Sequence, residues 1–309
     1  MWQILTITGY KNGVVTRMRS NKLLPVLSIV FSCVLWGLSI SITKKTTAVL
    51  YFPHIAVYRF IISSIALIPF TINKHFLWPD KKDLPKFIAV AILTVPCTFL
   101  FQFAGLSLTS GTSASLMIGT TPVMFAIISF FFLKEKLSLL TIIGILISVI
   151  GIYIVIGGAV SNNNWIGDGF IILSLITLSV SVVFSQQLMV KYSPLILTIY
   201  TFWFGTIFLL PASFFLYGLP PTNLSSVTWI SLFIQGIFCT CVASVLWNYG
   251  LKKISIAKTG IYANIEPIAG IFFSALLLHE VINLQVIAGG FLVLLAAIII
   301  EYPQWRNGS

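Results

Sequence analysis

Apolar residues in this chain run on for about twenty positions at a time instead of alternating with polar ones. Ten such segments are legible, at 24–43, 54–73, 85–108, 112–133, 138–158, 168–190, 194–217, 228–251, 256–278 and 284–301. Twenty residues of helix cover the roughly 30 Å hydrocarbon layer of a bilayer. A backbone in hydrocarbon must satisfy its amides internally, so each run predicts a helix. A β-barrel would instead show alternating stretches of about ten residues. The expected class is an all-α membrane protein with ten transmembrane helices.

Composition agrees with that reading. Of 309 residues, 58% are hydrophobic and 8% charged, against roughly 25% charged in soluble domains. The excess of 18 Lys and Arg over 7 Asp and Glu reads first as a topology signal. With the N-terminus inside, Lys11, Arg17, Arg19, Lys22, Lys74, Lys81, Lys82, Lys86, Lys134, Lys136, Lys191, Lys252, Lys253, Lys258 and Arg306 fall on the cytoplasmic side. Lys44 and Lys45 fall outside and Arg59 lies within the second span. This asymmetry predicts that both termini are cytoplasmic. Basic residues scattered over short loops do not make a nucleic-acid surface.

Residues 1–23 form an N-terminal arm in which a charged stretch leads directly into a full-length span, without a small-x-small cleavage site. Met18 stands ahead of the basic patch as an alternative start. Cys33, Cys97, Cys239 and Cys241 all fall within spans, and the Cys-x-Cys pair has no partner cluster of metal-ligand spacing. No metal and no cofactor is expected.

Sliding the chain by 145 residues superposes its halves. Gly105-Leu106 falls on Gly250-Leu251, Ser110 on Ser255, Pro122 on Pro267 and Ser129 on Ser274. Leu133, Glu135 and Gly144 fall on Leu278, Glu280 and Gly289 without a gap. The units are 24–158 and 168–301, followed by a tail at 302–309. Each holds five spans, an odd number, so the second copy enters the membrane inverted. Inverted repeats are a common construction of secondary transporters, with substrate held near the midplane.

Several short motifs recur in the same order. They are Trp36-Gly37, Arg59-Phe60, Gly105-Leu106, Pro122, Phe132-Leu133-Lys134-Glu135 and Gly144, then Glu266-Pro267, Leu278-His279-Glu280 and Gly289-Gly290. On these the chain resembles the drug/metabolite transporter superfamily, in its EamA branch, over about residues 24–301. The resemblance implies a basket with helices 1–4 and 6–9 around a central cavity and helices 5 and 10 at the periphery. His279 stands where the family often has a small residue.

Polar side chains in spans point to a site. Ser28, Ser32, Trp36, Ser39 and Thr43 share one face of the first span, and Ser174, Thr177, Ser181 and Ser185 one face of the sixth. Such stripes serve close helix packing as readily as cavity lining. Arg59 and Glu266 are the two ionisable residues clearly inside spans. A charge at that depth costs about 2.5–3.5 kcal/mol on insertion scales and needs a partner or water. Glu266 is expected to bind a cationic group or carry a coupling proton, and Arg59 to attract a carboxylate. The structural alternatives are a Glu266–Tyr262 bond and an Arg59–Glu280 pair. Lys258, Tyr262 and Glu266 follow at helical spacing, while Pro267 frees a carbonyl. Trp36, Trp203, Trp247, Asn248, Tyr249 and Gln102 complete the candidates, as rings and amides suited to an amphipathic solute. Gly144, Ser148 and Gly151 give the fifth span a close-packing edge for a neighbouring helix or a second copy, leaving monomer and homodimer open.

The expected function is alternating-access export or exchange of small amphipathic metabolites such as amino acids across a bacterial inner membrane. Uptake of a nucleotide-derived or phosphorylated solute is the alternative, and it wants more deep basic residues than Arg59. An intramembrane enzyme or a passive channel is the reading from a different class. Against the enzyme, Gly-x-Ser-x-Gly and His-Glu-x-x-His are missing, and His54, His75 and His279 sit near span ends. A phosphate-binding Gly-x4-Gly-Lys loop is missing too, so ATP-driven pumping by this chain is not expected.

Overall fold

The computed structural model describes residues 23–72, 78–133, 139–158, 164–253 and 262–307, and the regular structure among them is helical. In chain order the helices are α1 (Leu23–Thr46), α2 (Phe52–Thr71), α3 (Leu84–Leu108), α4 (Gly111–Phe132) and α5 (Leu139–Gly158). The second half holds α6 (Trp165–Met189), α7 (Pro194–Tyr217), α8 (Ser226–Lys253), α9 (Ile265–Leu278) and α10 (Leu284–Asn307). Among the described residues, seven of these are long and apolar enough to cross a membrane: α1 to α4 and α6 to α8. The expected ninth span began at 256, whereas the described helix begins at Ile265. Lys258 lies outside the described residues, as do Met18 and the arm to residue 22, His75, and Lys134-Glu135-Lys136.

Polar residues at span boundaries start helices. Ser110, Asn164, Ser193 and Ser225 each turn a side-chain oxygen onto an amide of the following first turn, at 3.0–3.2 Å. Each such cap satisfies an amide that a helix start leaves open.

Two helices carry one wide turn apiece, at Leu93–Phe99 in α3 and Ile234–Val242 in α8. In both, a threonine hydroxyl donates to the carbonyl five residues back at 2.8 Å: Thr98 to Leu93 and Thr240 to Gln235. Pro96, which has no N–H to give, lies in the first. Wide turns of this kind cluster at functional sites. α4 breaks at Gly119-Thr120, and Asn264 precedes α9 as a turn residue.

Small residues set the close approaches. A Cβ on Gly37 of α1 would stand 2.6 Å from Cβ of Ala269 and 2.8 Å from the Glu266 carbonyl, so α1 and α9 touch backbone to backbone. Gly105 and Gly167 bring α3 and α6 together in the same way. α5 packs chiefly along α10, where Gly151 faces the Gly289 carbonyl. The small-residue edge of α5 therefore serves a neighbouring helix within this chain.

One carboxylate joins the two halves. Both oxygens of Glu280 accept hydrogen bonds, from the amides of Gly111 and Thr112, at 2.8 Å each. These amides are unpaired donors at the positive end of α4, where a carboxylate is favoured. His279 ends α9 in a left-handed conformation, φ 55°, and Glu280 follows it. Glu280 is thus committed to α4 and not to Arg59. At the other end, Lys191 pairs with Asp80 and, at 2.6 Å, with Asp83, which also accepts from the Tyr192 hydroxyl at 2.8 Å. Those two donors hold the Asp83 carboxyl below its ordinary range.

Glu280→Ala removes the acceptor from two helix-start amides and should lower stability by about 1–2 kcal/mol. Glu280→Gln, which keeps one carbonyl oxygen, should lose less. Thermal unfolding of the detergent-solubilised variants measures both.

Candidate functional site

A cavity of about 100 Å³ lies among α1, α2, α3, α4, α6, α8 and the turn before α9. Trp36, Ser39, Ile40 and Thr43 line it from α1, and Arg59 from α2. α3 gives Thr98, Phe99, Gln102, Phe103 and Leu106; α6 gives Ser174, Leu175, Leu178 and Val182. Trp247 enters from α8. Around the two helix breaks, Ile118, Gly119, Thr121, Pro122 and Phe125 line it from α4, and Ala263, Asn264 and Glu266 from the start of α9.

Arg59 is 1% exposed. Its guanidinium donates from Nε to the Thr240 hydroxyl, to Ser39 Oγ at 2.7 Å and to the Cys239 carbonyl at 3.2 Å. The rings of Phe99 and Phe103 lie 5.1 and 5.4 Å from its central carbon. Two rings and three neutral oxygens stabilise the cation without a carboxylate. The network ties α2 to α1 and to the wide turn of α8. Fully buried Gln235 extends it, accepting from Thr43 at 2.7 Å. Among the described residues, three guanidinium N–H groups are used in this way.

Glu266 sits across the cavity wall from this network. Among the described residues its carboxylate receives no hydrogen bond; the expected bond from Tyr262 is not made, and half-buried Tyr262 lies outside the lining. The Glu266 backbone abuts Gly37, while Arg59 reaches Ser39, two residues further along α1. That offset is about 3 Å of helix rise. Beside Gly37, the indoles of Trp36 and Trp247 lie 5.1 Å apart, tilted by 49°.

Of the residues singled out from the sequence, Trp36, Arg59, Gln102, Trp247 and Glu266 meet at this cavity. The others are placed elsewhere. Asn248 donates to Thr198 Oγ1 at 2.8 Å and joins α8 to α7. Trp203 donates to the Ser64 carbonyl at 3.2 Å. Tyr249 accepts from Lys253 at 2.8 Å near the end of α8. The hydroxyl stripes divide similarly: Ser39, Thr43 and Ser174 line the cavity, whereas Ser28 and Ser181 bond back to their own helices and Ser32 bonds to the Ala243 carbonyl. Asn264 escaped the sequence reading, although the 145-residue register sets it opposite Gly119, where α4 breaks.

Comparison with known proteins matches two stretches of the chain, residues 23–157 and 165–302, to the model of the EamA-like transporter family. An uncharacterized transporter of Bacillus subtilis, YetK, is 30% identical over 72% of this chain and 70% of its own length. An uncharacterized transporter of Archaeoglobus fulgidus is 28% identical over 86% of this chain and 94% of its own. A crystal structure superposes with a TM-score of 0.68 over 92% of this chain and 99% of the other, at 17% identity, a likeness of fold alone.

Arg59→Met should cost at least about 2 kcal/mol, because it leaves Ser39, Thr240 and the Cys239 carbonyl without a buried donor. Arg59→Lys keeps the charge but not the fork, and should fall between Met and wild type. Equal melting temperatures for all three would contradict the network.

Proposed function

The chain belongs to the EamA-like transporter family, and on that premise we propose that it is a secondary transporter exporting or exchanging small amphipathic metabolites, such as amino acids, by alternating access. Its place in this reading is the inner membrane of a bacterial cell. The observation that carries it is the central cavity, where one cation and one carboxylate share an interior walled by rings, aliphatic side chains and a few hydroxyl and amide groups. A zwitterion with an apolar body matches that distribution.

Two further features support the reading. The 145-residue register relates the halves, and a site shared by two inverted units can be opened by either. At one end the bundle is drawn together by Glu280 on the start of α4 and by the Ser41–Ser274 contact at 3.1 Å. Breaking those contacts on one side while forming their counterparts on the other would expose the cavity alternately. A phosphorylated solute fits less well. It needs several free donors, whereas Arg59 is the one basic residue in the lining and already spends three.

Reconstituted protein should show trans-stimulation: proteoliposomes preloaded with an exchangeable amino acid take up labelled solute faster than empty ones. A channel shows no such acceleration. Glu266→Gln should reduce uptake and flatten its dependence on pH if the carboxylate carries a coupling proton. Uptake and pH dependence both unchanged in this variant would remove Glu266 from the mechanism.

A further inference from the structure

The helix breaks in α4 and before α9 occupy equivalent positions of the repeat but carry different chemistry. Ile118, Gly119, Thr121 and Pro122 correspond to Ala263, Asn264, Glu266 and Pro267. In α4, Pro122 has no N–H for the carbonyl four residues back, and the Thr121 hydroxyl supplies the missing donor to Ile118 at 2.5 Å. In the second unit Pro267 likewise has no N–H for the carbonyl of Ala263. There the residue in Thr121's place is Glu266, which lines the cavity.

Asn264 adds a second acceptor. It is 9% exposed and faces the cavity, and its Oδ1 has no hydrogen-bond partner. An unpaired buried carbonyl oxygen costs about 1–3 kcal/mol, a cost that a ligand donor recovers. One break therefore satisfies its own acceptors. The other presents two side-chain acceptors to the cavity: Asn264 Oδ1 and the Glu266 carboxylate. The indole pair of Trp36 and Trp247 adds faces that attract cations.

We propose that the break before α9 is a primary-ammonium site and that Asn264 is its specificity-determining residue. A –NH3+ group has N–H donors for both acceptors and one charge for Glu266. Anions are repelled there, and a trimethylated ammonium has lost the donors that Asn264 requires. The inference rests on the reading of the cavity as the substrate site and specifies which end of a solute is recognised at α9.

The test measures binding, without transport. Phenethylammonium is titrated calorimetrically into the purified full-length protein in detergent, beside its N,N,N-trimethyl analogue, phenylpropionate and sodium chloride. Wild type should prefer phenethylammonium to the trimethyl analogue by about tenfold or more, and phenylpropionate should bind weakest. Asn264→Leu should weaken phenethylammonium by about tenfold, whereas Asn264→Asp, which keeps an acceptor, should retain it. Equal weakening by Leu and Asp, undiminished binding of the trimethyl compound, or no amine binding overturns the assignment. Displacement of the amine by sodium at equal concentration also overturns it, in favour of a metal cation. An amine that binds without counterflow contradicts the transport reading alone, and counterflow without amine binding contradicts this inference alone.

Discussion

Hydrocarbon offers no hydrogen bonds, and nearly everything specific in this bundle follows from that. Side chains and backbone groups that water would satisfy must find partners in protein or face a hydrated cavity. Serines and threonines answer locally, by donating to carbonyls one turn back. Glu280 answers across the molecule, by taking two unpaired amides at the start of α4. Arg59 answers with the largest network, in which three oxygens and two rings hold one cation. Asn264 Oδ1, buried and without a partner, lies instead against the cavity.

The wide turns and helix breaks belong to the same economy. Each redirects backbone groups away from the regular ladder, and each lies against the cavity or against a residue that lines it. Thr240, in the wide turn of α8, accepts from Arg59; Thr98, in that of α3, faces the cavity itself. Thr121 closes the carbonyl that Pro122 frees, whereas Glu266 stands in Thr121's place before Pro267. In the proposed reading, that exchange of hydroxyl for carboxylate lets two near-symmetric halves interconvert around a site that distinguishes one end of a solute from the other.

Much of this was legible in the chain before any coordinates. Apolar runs marked the helical segments closely, since twenty uninterrupted residues have few other uses. Arg59 and Glu266 stand out because charge in a span is costly, Trp36 lies on the polar face of the first span, and Gln102 and Trp247 are an amide and a ring within spans. Helix phase decided the rest. Asn248 follows Trp247 directly, and a step of 100° turns it from the cavity toward Thr198. Tyr262 lies one turn before Glu266, but the turn at Asn264 interrupts the spacing that would have aligned them. Asn264 carries no charge and no proline, so only the repeat register, which pairs it with the break at Gly119, marked it. The partner of Glu280 was not legible because backbone amides carry no signature in a sequence.

Access to the cavity from each membrane face tests the account most directly. In a variant with Cys33, Cys97, Cys239 and Cys241 replaced by serine, Thr121→Cys places one thiol in the cavity wall. Its reaction with a membrane-impermeant maleimide is followed from each side of oriented vesicles, with and without transported solute. Alternating access predicts reaction from both faces, with solute raising the rate on one side and lowering it on the other. Labelling confined to one face, or rates that rise and fall together on both, would contradict it.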